Sequence, residues 1–172
     1  YGTIDELNRR VWSAFWSHRF TSFDEINPRD PTLEAIQIDW KSFSSQQMAD
    51  FMQFEKNIIR RHSDAPVTTN MMGLHDMIDY YRIADVCDFI SDDCYPMWYR
   101  GEQREVAARY SMMHDLHYSM QGKPFVMMES SPGLPNFRPY AHVRRPGELQ
   151  REMLLAVGHG ADGTMYFQWR KS

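Results

Sequence analysis

The run Pro124-Phe-Val-Met-Met-Glu-Ser-Ser-Pro-Gly133 governs how the rest of the chain is read. A short apolar stretch ends abruptly in a carboxylate, and turn residues follow at once. Such a run predicts a strand covered on both faces, with Glu129 at its exit into a loop. On either side of it, residues 102–121 predict a helix closed by Gly122. Residues 146–158 predict another, with Pro146 in its first turn and Gly158 and Gly160 near its end. Thr164 to Gln168 is the next predicted strand. Upstream, Val86 to Ser91 predicts a strand ending in Asp92 and Asp93, residues 75–85 a short helix, and Pro66 to Asn70 a first strand. Ser44 or Ser45 reads as the N-cap of a long helix to about Arg61. Its inward face would be Met48, Phe51, Met52, Ile58 and Ile59, with Glu55 in part. Residues 1–20 read as helical through Ile4, Leu7, Val11 and Phe15, and residues 21–39 as loop.

Strands alternating with helices predict βα units and a parallel sheet. In such sheets the polar residues at strand C-terminal ends make the site. Here those are Asn70, Asp92, Asp93, Glu129, Gln168, Trp169 and Arg170. Four strands cannot close a barrel that takes eight, and no helix follows the last one. No G-x-G-x-x-G or P-loop suggests a finished nucleotide-binding domain. The expected fold class is therefore α/β, with residues 1–172 as part of a (β/α)8 TIM barrel incomplete at both ends.

Composition narrows the function. The chain is 42% hydrophobic and 24% charged. That balance suits a packed globular protein. Net charge is -4, with 19 basic and 23 acidic side chains intermixed, so a nucleic-acid partner is not expected. No apolar run approaches the roughly 18 residues of a membrane span. The stretch from Tyr1 to Phe20 holds no apolar signal-like region, and Cys87 and Cys94 cannot make a disulfide framework. The expected compartment is therefore cytoplasmic.

Glu129 is the sharpest chemical candidate. A carboxylate held at the mouth of a sheet is what a glycosidase nucleophile needs, although a capping or salt-bridging Glu at a strand end would look the same. Asp92 and Asp93 are adjacent, so in an extended chain they point opposite ways and do not share a proton. Each is a candidate for a sugar hydroxyl contact, as is Asn70. Phe137 and Trp169, on the mouth side, offer flat faces to a pyranose ring. His114 and His117 lie three apart on one helix face, but no Cys or carboxylate set is expected beside them. No metal site and no cofactor is expected in these residues.

Several segments together resemble the β-galactosidases of glycoside hydrolase family 42. These are Trp12-Ser-Ala-Phe-Trp-Ser-His-Arg-Phe20, Thr68-Thr-Asn-Met-Met-Gly73, Ser91-Asp-Asp-Cys-Tyr-Pro96, Met127-Met-Glu-Ser-Ser-Pro-Gly133 with Asn136-Phe-Arg-Pro139, and Ala161-Asp-Gly-Thr-Met-Tyr-Phe-Gln-Trp-Arg-Lys-Ser172. They run in order along the whole chain. The resemblance implies barrel strands five to eight, the C-terminal half of the catalytic barrel. It also implies a retaining mechanism on terminal β-D-galactosides, with Glu129 as the nucleophile that forms a galactosyl-enzyme. Asp93 falls on a family Asp. Phe137 falls where the family carries a Trp lining the sugar site. Trp16 falls near a Trp that reaches a neighbouring subunit's site in the family's homotrimers. The family's acid/base is a Glu preceded by Asn, and no Asn-Glu pair occurs here. The family's Cys-rich zinc cluster would precede Tyr1. The isolated chain is therefore expected to be inactive. Two other readings stand beside this one: another retaining β-glycosidase on the same barrel, or a non-catalytic sugar-binding half-barrel.

Overall fold

A computed structural model describes residues 1–133 and 142–168. Its helices are α1 (Ile4–Arg10), α2 (Glu34–Ile59), α3 (Tyr80–Val86), α4 (Gln103–Gln121) and α5 (Glu148–Gly158). Its strands are β1 (Asn70–Met71), β2 (Ser91–Asp93), β3 (Phe125–Glu129) and β4 (Ala161–Thr164). The four strands form one sheet in the order β1-β2-β3-β4, and every pair is parallel. Spatial order equals chain order, with no reversal of the kind that marks a doubly wound sheet. The sheet is thus wound in one direction, as an arc of a barrel is.

The core lies between the sheet and the helices. Met71, Ile90, Phe125 and Met127 are completely buried there with Ile83, Ala84, Met113 and Ala156. The α4 helix closes at Gly122, whose φ of 63° suits a residue without Cβ. Gly160 has a structural reason of its own between α5 and β4. Its φ is 97°, and a Cβ there would lie 2.6 Å from the Tyr118 ring.

Several boundaries differ from the sequence expectation. The first helix stops at Arg10, and a 3-10 turn over Ser13–Trp16 follows, entered through Trp12 at φ 49°. Phe15 meets Trp12 at a tilt and Trp16 edge to face, and all three rings stay exposed. The α2 helix begins at Glu34, so Ser45 is not its cap but a buried interior residue. Its Oγ donates to the Lys41 carbonyl and accepts from the Asp79 amide, which ties α2 to the start of α3. The inward stripe of α2 is consequently Ser45, Ala49 and Met52, whereas Met48, Phe51, Ile58 and Ile59 are exposed. The second strand ends at Asp93 but begins only at Ser91 rather than at Val86, and Cys87 caps α3 instead of lying in a strand. The last strand is Ala161–Thr164, ahead of the expected Thr164–Gln168. Gly163 weakens its strand signature, and the apolar Met165-Tyr-Phe167 run carries a stronger one.

Candidate active site

The bulge between β2 and β3 sets the direction of the central carboxylate. Asp92 pairs with Met127, but Asp93 pairs with Glu129, so Met128 is the extra residue. Simple alternation would send Glu129 to the same side as the buried Phe125 and Met127. The inserted residue re-aims it across the sheet mouth, a known use of bulges. The Cys94 amide then donates to the Glu129 carbonyl at 2.8 Å and pins the strand end.

Both carboxylate oxygens of Glu129 are held. Asn70 Nδ2 donates to Oε1 at 2.8 Å, and Tyr95 Oη donates to Oε2 at 2.5 Å. The Tyr95 carbonyl accepts from Tyr110 Oη at 3.1 Å, which braces this donor from α4. Asn70 Nδ2 also lies 3.3 Å from Asp93 Oδ2. Asp93, Tyr95 and Glu129 share an open cleft with Gly73, His75, Arg109 and Tyr110.

Burial, and then the charge of Glu129, push the Asp93 carboxyl up to about 7, against an opposing hydrogen bond from Asn70. A carboxyl whose folded pKa is raised supports the fold while protonated. That support is whole below the ordinary carboxylate range and is lost as pH rises through about 7. The Asp93→Asn variant of the full-length protein removes this dependence. It is expected to gain about 1–2 kcal/mol on the wild type between about pH 4 and about pH 8, read from urea midpoints at each pH.

The sequence candidates separate in space. Asn70, Asp93 and Glu129 come together. Asp92 does not join them: it is completely buried, and its Oδ2 lies 3.5 Å from Nδ1 of both His114 and His117 on α4. Period-two alternation points it to the helix side of β2, so a sugar contact through Asp92 is corrected to an interior role. Trp16 is exposed and lines a different groove with Trp12, Phe15 and Leu33. Phe137 and Trp169 lie outside the described residues. The expectation that no Cys or carboxylate stands beside His114 and His117 is also corrected, because the tight exit of β2 carries Asp92 and Cys94 to α4.

Two functional features escaped the sequence reading. Tyr95 had a signal, in that it leaves β2 directly before Pro96, yet nothing in the pattern said that its hydroxyl would reach Glu129. The second is a buried support behind the β3 exit. Glu152 on α5 is fully buried and accepts from Arg144 Nη1 at 2.5 Å, from the Ser130 hydroxyl, and from Trp98 Nε1 at 3.4 Å. Ser130 is the residue after Glu129, so α5 anchors the strand exit.

A one-way parallel βα sheet with a braced carboxylate at its strand ends defines the (β/α)-barrel class. The family model Glyco_hydro_42, described as Beta-galactosidase, matches residues 1–172, and the chain belongs to that family. Beta-galactosidase BglY of Alicyclobacillus acidocaldarius is 40% identical over 178 residues, covering 100% of this chain and 26% of BglY. Beta-galactosidase Pbg of Clostridium perfringens is 42% identical over 180 residues, covering 98% of this chain and 26% of Pbg. Among solved structures, the cold-adapted β-galactosidase of Rahnella sp. R3 superposes with a TM-score of 0.88 at 40% identity, over 100% of this chain and 26% of that one. The β-galactosidase of Bacillus circulans sp. alkalophilus gives 0.84 at 34% identity, also over 100% and 26%. The chain thus spans about a quarter of these relatives. No helix among the described residues is long and apolar enough to cross a membrane.

Proposed function

We propose that residues 1–172 are the nucleophile-bearing part of a retaining β-galactosidase, strands five to eight of its barrel. The observation that carries this reading is Glu129 at the end of β3, with each carboxylate oxygen fixed by a neutral donor. A nucleophile held this way meets the anomeric carbon without first losing rotational freedom. Glu129 attacks that carbon of a terminal β-D-galactoside and the aglycone oxygen departs with the bonding electrons. Water then displaces Glu129 from the galactosyl-enzyme.

Both steps need a second carboxyl about 5 Å away, first to protonate the leaving group and then to take a proton from water. Asp92 cannot serve, being buried behind the sheet. The family resemblance places that acid/base outside residues 1–172. The isolated chain is therefore expected to leave lactose and nitrophenyl β-galactoside unhydrolysed, while the full-length protein cleaves both. Turnover by the isolated chain at the full-length rate would sink the reading. A panel of nitrophenyl glycosides on the full-length protein distinguishes a galactosidase from another retaining β-glycosidase.

The surface supports membership in a larger barrel. The accessible area is 11600 Å² for a mass of 20.4 kDa. A self-contained globule of that mass would expose only about 8800 Å². The apolar side chains Phe51, Phe54, Ile58 and Ile59 on α2 contribute to the excess. In the whole protein we place Phe137 and Trp169 against the sugar ring and Trp16 toward a neighbouring subunit of a homotrimer. The reaction needs no cofactor, and the proposed compartment is the cytoplasm.

Tyr95 gives a finer test. The Tyr95→Phe variant keeps the ring and loses the hydrogen bond to Glu129 Oε2. A single such bond to a charged group contributes about 1.5 kcal/mol, so kcat/KM should fall about tenfold in steady-state assays of the full-length protein. An unchanged kcat/KM would show that the hydroxyl does not position the nucleophile.

A further inference from the structure

We infer that Asp92, Cys94 and His114 form a buried binding site for a divalent transition-metal ion of the zinc class, on the opposite side of β2 from the sugar cleft. One donor atom from each of the three residues lies within 4.8 Å of the others. Cys94 Sγ stands 4.0 Å from His114 Nε2, and Asp92 Oδ2 stands 3.5 Å from His114 Nδ1. All three side chains are completely buried. His117, one helical turn from His114 and equally buried, places its Nδ1 3.5 Å from the same Asp92 oxygen.

The cluster is short of partners in a way that points to a ligand. Neither oxygen of Asp92, nor Nδ1 of His114, nor either ring nitrogen of His117 has a hydrogen bond. Buried polar atoms are nearly always paired with protein, water or an ion, and a buried carboxylate most of all. The Phe125 ring lies against both imidazoles, with centroids 5.5 Å from His114 and 6.2 Å from His117, and closes the apolar side.

One carboxylate oxygen, one thiol and one imidazole nitrogen are the donors that zinc takes, at about 2.0–2.3 Å. Tetrahedral ligands at those lengths stand roughly 3.3–3.7 Å apart, so donor atoms that now lie within 4.8 Å of one another need to close by about 1–1.5 Å at most. On binding, Cys94 gives up its thiol proton to solvent and the sulfur binds as thiolate, so uptake weakens as pH falls. These residues are separate from the Cys-rich cluster that the family resemblance places before Tyr1.

The test is the zinc content of the full-length protein after dialysis, measured by plasma mass spectrometry for the wild type, Cys94→Ser and His114→Gln. One zinc equivalent fewer in each variant is expected, whatever the total. Equal content in folded variants overturns the site. Should neither variant fold, the wild type decides by itself. Zinc-loaded and chelator-treated protein is alkylated under mildly denaturing conditions, and the modified thiols are mapped. Zinc should slow modification of Cys94 severalfold and leave Cys87, which lies outside the cluster, as the internal control. Equal Cys94 rates with and without zinc overturn the site.

Discussion

Replacing Glu129 by Ala in the full-length protein is expected to lower kcat for galactoside hydrolysis on the order of 10⁴-fold, the size of effect seen when a covalent nucleophile is removed. KM should change far less, because Glu129 acts on one bond while the rest of the site binds the sugar. The decisive readout is rescue. Alanine leaves a space at the end of β3 that azide can enter and attack from, which gives α-galactosyl azide and restores turnover on an activated aryl galactoside. A residue that merely caps the strand would not show this. Its loss would lower stability, and added azide would neither restore the rate nor invert the product.

The largest stability effect is expected at Glu152. Its carboxylate is fully buried and is matched there by Arg144, Ser130 and Trp98. Burial raises its pKa, and the Arg144 guanidinium opposes that rise, so the charged form depends on this partner. The Glu152→Ala variant leaves Arg144 without its counter-charge in a mostly buried position. Breaking such a pair costs about 3–5 kcal/mol. It should appear as a lower urea midpoint in the full-length protein with an unchanged slope. Exchanging both partners for apolar residues should recover part of the loss, since the penalty lies in the stranded charge. Activity should fall as well, because Ser130 ties Glu152 to the residue next to Glu129. A loss under about 1 kcal/mol would mean that the pair is far more hydrated than the structure places it.

The order of the βα units was legible because it rests on local signals: apolar runs with turn residues at their ends, Gly122 closing α4, and the carboxylates at the exits of β2 and β3. Glu129 stood out for the same reason. What pairs with it did not. Asn70 and Tyr95 come from different strand exits, and only the register between β1, β2 and β3 brings their donors to one carboxylate. The opposite orientations of Asp92 and Asp93 followed from alternation alone, yet which of the two faced the cleft depended on the register that pairs Asp92 with the buried Met127. The inward face of α2 differs from the expectation because its most apolar residues are not the ones that α3 covers. Small residues at Ser45 and Ala49 allow the close approach of the two helices, whereas hydrophobicity alone favoured Phe51 and Ile58. The Asp92, Cys94 and His114 cluster was invisible for a related reason: its members come from a strand exit and a helix that meet only in the fold.

The proposed mechanism stands or falls on Glu129 as the nucleophile of a retaining galactosidase. The experiment that reads this without intermediaries is to inactivate the full-length protein with a 2-deoxy-2-fluoro-β-D-galactoside bearing an activated leaving group, digest it, and locate the label by mass spectrometry. The fluorine slows release of the glycosyl-enzyme, so the covalent species accumulates. One fluorogalactosyl group per protein is expected, attached at Glu129 in the peptide that contains Met127-Met-Glu-Ser-Ser131. A label on another carboxylate, or full hydrolytic activity with no covalent label at all, would contradict it.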